Sequence, residues 1–237
     1  MTISSSPNPD SQSSLAICGR RAQGPRLRHL ARTLYLILCV SLIAACDSPA
    51  PTVPPDSGLF SDDFSRDAGL WETFDEEANA SANIADGRML VTVNTPSTVT
   101  FTVAAVNLSD FNLTVTTTQL GGGLANGYGI IFHYLDPQNF YRFDISGDSL
   151  WGFSRRQNDQ WIQIVELTSS PAIRPGYESN ALQIITRNNT FEFYANGALL
   201  GSATDSHLTL GRIGLFASTF DDSNTQIAFD DLKIVNP

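Results

Sequence analysis

From Leu59 to the end of the chain, apolar residues alternate with polar ones or gather in short β-branched runs, with no stretch at the spacing of an amphipathic helix. Successive side chains of a strand point to opposite faces, so each run predicts a half-buried strand. Eleven are predicted: Met89–Val93, Val99–Val103, Asn112–Gln119, Tyr128–Tyr134, Phe140–Ile145, Leu150–Arg155, Trp161–Val165, Leu182–Thr186, Phe191–Tyr194, Arg212–Ala217 and Gln226–Val235. Turn signals separate them: Gly121-Gly122-Gly123, Asp136-Pro137-Gln138-Asn139, Gln157-Asn158-Asp159, and Asn196-Gly197, which predicts a two-residue hairpin. The fold class expected is all-β, a two-sheet antiparallel sandwich over residues 59–237. Two smaller domains would each lack enough core to stand without disulfides.

The chain ahead of Leu59 has a different texture. Five arginines lie between Arg20 and Arg32, and Thr33 to Ala45 is apolar and uncharged. That order is the n-region and h-region of a secretory signal. Thirteen helical residues span about 20 Å, short of the ~30 Å hydrocarbon core, so a transmembrane helix is disfavoured. The run closes in Ile43-Ala44-Ala45-Cys46. This resembles the lipobox of bacterial lipoproteins, a resemblance that implies diacylation of the Cys46 thiol and cleavage before it. Cys46 is then the lipidation site, and the protein is extracytoplasmic and membrane-anchored. An ordinary secretory signal cut after Ala44 or Ala45 is the alternative. Residues 1–45 are thus read as a signal peptide with an N-terminal extension. Residues 46–58 form a linker with four prolines between Asp47 and Gly58, a semi-rigid spacer.

Charge narrows the partners. Removal of residues 1–45 takes away five of fourteen basic residues and one of twenty-four acidic ones; nine against twenty-three remain, a formal charge of about −14. Such a domain repels phosphate backbones, so nucleic acid is not expected as a partner. The three cysteines, Cys18, Cys39 and Cys46, all precede the domain, which excludes a disulfide framework and a cysteine nucleophile there.

The segments Gly127 to Ser146, Ser154 to Trp161, Thr190 to Ser218 and Ala228 to Ile234 together resemble the concanavalin A-like lectin/glucanase superfamily, and within it the laminin-G-like and keto-disaccharide-hydrolase-like domains. The resemblance implies a jelly roll. Glucanases of the superfamily carry acidic residues at alternating positions of one strand, because retaining hydrolysis needs two carboxyls about 5 to 5.5 Å apart. None of the six glutamates (Glu72, Glu76, Glu77, Glu166, Glu178, Glu192) falls in that pattern. The catalytic motif is therefore not found.

A binding face is the better expectation. In Phe140–Ile145, parity puts Tyr141, Phe143 and Ile145 on one face, suited to the core, and Phe140, Arg142 and Asp144 on a solvated one. His133 opposes Phe132 and Tyr134, while Arg155 shares a face with Trp151 and Phe153. The candidate ligand-binding set is His133, Arg142, Asp144, Tyr128, Trp151 and Arg155. Asp62 and Asp63 lie near the start of the domain and Asp230 and Asp231 near its end. The resemblance implies neighbouring first and last strands, which makes these four candidate ligands of a structural calcium. The function expected is non-catalytic binding of a glycan or cell-envelope material. A protein-binding adhesive module and a sugar hydrolase with an unrecognised acid pair remain the alternatives.

Overall fold

The computed structural model describes residues 58–76 and 78–237. Cys46, residues 1–45 and all of the linker but Gly58 lie outside the described residues.

Fifteen strands and no helix make up the described chain: β1 (Phe60–Asp62), β2 (Phe74–Asp75), β3 (Ala80–Ala85), β4 (Arg88–Val93), β5 (Val99–Leu108), β6 (Phe111–Gly121), β7 (Gly127–Asp136), β8 (Asn139–Ser146), β9 (Leu150–Gln157), β10 (Gln160–Ser169), β11 (Asn180–Arg187), β12 (Thr190–Ala195), β13 (Ala198–Thr204), β14 (Gly211–Ser218) and β15 (Thr225–Val235). Each predicted strand overlaps one of these. The four others, β1, β2, β3 and β13, are short or rich in alanine and small polar residues. Such segments become strands because a neighbour pairs with them, not by their own propensity.

All pairings are antiparallel. One sheet runs β13-β12-β11-β6-β15-β4-β3-β2, with β1 joining β15; the other runs β10-β9-β8-β7-β14-β5. Along one edge of β15, β4 pairs with Thr225 to Phe229 and β1 with Leu232 to Ile234, so the first and last strands are neighbours. Tight turns close the hairpins. Asn196 and Gly197 both take positive φ, 52° and 80°, as the hairpin reading requires, and Asn158 and Asp159 do the same at 48° and 71°.

The two sheets bury one large aromatic core between them. Phe132, Tyr141, Phe143 and Phe153 of the six-stranded sheet meet Phe191 and Phe193 of β12 at centroid distances of 4.7 to 5.4 Å. All six are fully buried. Rings at this spacing add edge-to-face and tilted contacts to a burial term of about 1.5–3 kcal/mol per side chain. This core fixes the parity of β7, β8 and β9, and so decides which residues reach the outer face of the six-stranded sheet.

Candidate functional site

On β7, Tyr128, Ile130 and Phe132 belong to the core, which turns Gly127, Gly129 and Ile131 outward. Strand β8 turns out Phe140, Arg142, Asp144 and Ser146. In register, Asp144 lies between Gly129 and Gly152, and Arg142 between Ile131 and Ser154. Two different surfaces result. Towards one end, Ile131, Phe140 and Phe216 form a second apolar cluster, with Val99, Phe101 and Tyr134 packed against it. Towards the other end the neighbours of Asp144 have no side chains, and the sheet surface falls away into a groove of about 310 Å³. Arg142 and Asp144 lie in it, with Trp161 and Leu167 of β10 on one wall and Phe220 on the other. The glycine spacing keeps this wall in place: a Cβ on Gly152 would sit 3.0 Å from Leu167 Cδ2.

Arg142 packs against two aromatic rings. Its Cζ lies 4.4 Å from the Trp161 ring centroid and 5.3 Å from that of Phe216, both cation–π distances. Its Nε is 3.4 Å from Asp144 Oδ1, an ion-pair contact too long for a good hydrogen bond, and both atoms are buried without a hydrogen-bond partner. Ser154 Oγ, also buried, has none either. Burial pushes the Asp144 carboxyl above the usual aspartate range, and the attraction of Arg142 only partly offsets this. The groove thus carries a charged pair whose hydrogen-bonding capacity the protein leaves unused.

The expected ligand set divides. Arg142 and Asp144 come together as the parity argument placed them, although their face is covered rather than solvated: Phe140 is fully buried and Asp144 only 7% exposed. Tyr128, Trp151, His133 and Arg155 are corrections. Tyr128 points into the core, where burial pushes its hydroxyl up to about 12. Trp151 also packs inside, against Phe143 and Phe193. His133 sits at a bulge of β7 with φ of 47°, its ring nitrogens 3.0 and 2.8 Å from the carbonyl oxygens of Leu208 and Ser109. Burial pushes its pKa down, against the pull of those two carbonyls. Arg155 stands on the inner face at the end of the sandwich, where Nη1 donates to both oxygens of Asp205 at 2.6 and 2.5 Å.

The four aspartates proposed for calcium are also split. Asp62 accepts from the Phe64 amide at 2.8 Å through Oδ1 and from Trp71 Nε1 at 2.9 Å through Oδ2. Asp63 accepts from the Ser65 amide, which lowers its pKa. Asp230 accepts from the amide of Asp231, at a bulge where the pairing of β15 with β6 breaks between Asp230 and Lys233. Asp62, Asp63 and Asp231 share a hollow with Arg66 and Lys233. Among the described residues no three His, Cys, Asp or Glu side chains gather as a metal site.

Trp161 is the residue that sequence reasoning missed. Its signal was present: the Asn158-Asp159 hairpin pairs Trp161 with Arg156, and Arg156 has the parity opposite to Trp151 and Phe153. A tryptophan there must lie on the outer face, 42% exposed, beside Arg142.

The architecture defines the class: an all-β jelly roll of two antiparallel sheets. Solved structures share it. The carbohydrate binding module CBM66 from Bacillus subtilis is similar at a TM-score of 0.57, with 19% identity, covering 70% of this chain and 96% of that one. The β-glucanase of Bacillus licheniformis is similar at 0.59, with 13% identity, covering 77% of this chain and 100% of that one. A Bacillus subtilis protein of unknown function with a galectin-like fold gives 0.57 and 11%, over 76% and 96% of the two chains. At these identities the likeness is one of fold. No protein-family model and no curated protein matches the sequence.

Proposed function

We propose that the domain binds a glycan, without cleaving it, in the groove on its six-stranded sheet, and that a lipid on Cys46 holds it on the outer side of a membrane. The observation that carries the binding reading is the Arg142–Asp144 pair, buried, under-bonded and walled by an exposed tryptophan. Sugars supply what such a site lacks, since their hydroxyls both donate and accept and their C–H faces pack on apolar walls. The fold supports the reading by analogy only, because jelly rolls host binders and hydrolases alike. Among the described residues lining the groove Asp144 is the one carboxylate, whereas glycoside hydrolysis uses two. The raised pKa of Asp144 is the one feature a general acid would share.

The anchoring part rests on Ile43-Ala44-Ala45-Cys46 after an apolar run. Two or more acyl chains give durable attachment where one does not.

A glycan array probed with the full chain in a non-glycosidic detergent tests the binding reading. Reproducible hits that Trp161→Ala abolishes are expected. A blank array with specific capture of a surface protein would transfer the role to adhesion, and release of reducing ends from a bound polysaccharide would make the domain a hydrolase. Labelling with radioactive palmitate that persists in Cys46→Ala would remove the lipid anchor from the account.

A further inference from the structure

The chemistry of the groove also separates one class of glycan from another, an inference that rests on the glycan-binding reading above. Among the described residues that line it, Arg142 is the one cation and Asp144 the one anion, and they stand 3.4 Å apart. The pair compensates its own charge. An anionic sugar at Arg142 would meet the Asp144 carboxylate beside it, with no second cation among the described lining residues to hold it. Arg156, the other arginine near Trp161, is engaged by Asp159 in the β9–β10 turn.

The same pair sets a donor beside an acceptor. Asp144 Oδ1 has no hydrogen-bond partner among the described groups, although the residue is nine-tenths buried, and its Oδ2 lies beside Gly127, where a Cβ would touch it at 3.6 Å and crowd Ser218 Oγ at 3.0 Å. Arg142 Nε donates to no described group, and the guanidinium packs against the rings of Trp161 and Phe216. One ligand group that donates, next to one that accepts, would satisfy both. Two hydroxyls on adjacent ring carbons have that property, each able to donate and to accept. A carboxylate offers acceptors only and leaves Asp144 unsatisfied.

We infer that the groove recognises an uncharged sugar through a pair of adjacent hydroxyls, one donating to Asp144 and the other accepting from Arg142, and discriminates against uronic acids.

The test uses the full chain in a non-glycosidic detergent and an array that holds neutral glycans, their uronate counterparts, and the same neutral glycans after periodate cleavage of adjacent diols and borohydride reduction. Binding to neutral glycans is expected, weakened about tenfold or more by diol cleavage and by replacement with uronates, because a site built for hydroxyls rejects ligands that leave its buried groups unpaired. It should change little between low and moderate salt. Uronates binding as well as neutral sugars, or diol-cleaved glycans binding unchanged, overturn this inference while leaving glycan recognition standing. A blank array overturns both. Asp144→Asn, checked for folding by its melting curve, is expected to lose the same tenfold for neutral glycans, and wild-type affinity in that folded variant also overturns the assignment.

Discussion

Arg155 and Arg142 stand on adjacent strands of one sheet, on opposite faces, and each meets an aspartate. Asp205 accepts two bonds from Arg155, one from Tyr141 Oη at 2.6 Å and one from the His207 amide at 2.8 Å. Burial works against its charge, but the bonds from Tyr141, His207 and Arg155 outweigh burial and hold the carboxyl below the ordinary aspartate range. Asp144 has one long contact with Arg142 and a carboxyl driven upward by burial. A buried charge that is fully bonded fixes structure, whereas one left short of partners lowers stability unless something else binds it. The first pair closes the end of the sandwich by tying the Asp205 loop to β8 and β9; the second leaves Arg142 Nε and Asp144 Oδ1 without hydrogen-bond partners.

Breaking the bonded pair should have the largest effect. Asp205→Ala leaves Arg155 and the Tyr141 hydroxyl without their partner and is expected to cost about 3 kcal/mol, lowering the melting temperature by roughly 10 °C. Asp144→Asn should go the other way, neutral or stabilising by up to about 1 kcal/mol in urea melts, because relief of the carboxyl's desolvation outweighs the lost attraction to Arg142. Acid sharpens the contrast. The Asp205 carboxyl is lower in the folded than in the unfolded protein, so its contribution is present above about pH 4 and is lost as pH falls through the folded value. For Asp144, raised in the folded protein, the cost is present above its folded value and is relieved as pH falls. In urea melts between about pH 7 and pH 3 the two variants should therefore converge on wild type from opposite sides as pH falls, Asp205→Ala from below and Asp144→Asn from above. Trp161→Ala should cost the fold about 1 kcal/mol through the lost contact with Arg142, yet it should remove most of the binding on an array.

Much of this was legible in the sequence. The alternation in Phe140–Ile145 correctly separates Tyr141, Phe143 and Ile145 from Phe140, Arg142 and Asp144, because parity is a local property of a strand. Parity does not say which face is inner. Arg155 shares a face with Trp151 and Phe153, and in the sequence that trio reads equally as a binding surface or as a core with an arginine at its rim. The structure makes it the rim. Tyr128 was decidable, since its outward neighbours Gly127 and Gly129 cannot build a core. The side-chain partners of Asp205, Tyr141 and Arg155, lie 64 and 50 residues away in the chain, and the β7 bulge that turns His133 inward has no local signature. Tertiary pairing decides such features, and one sequence does not display it.

We propose that Asp144 serves a ligand and does not stabilise the fold. The most direct measurement is calorimetric titration of one neutral glycan from the array into wild type and Asp144→Asn, with the melting temperature of each. The account expects a variant at least as stable as wild type that has lost binding. A variant that binds like wild type, or one that is strongly destabilised, would contradict it.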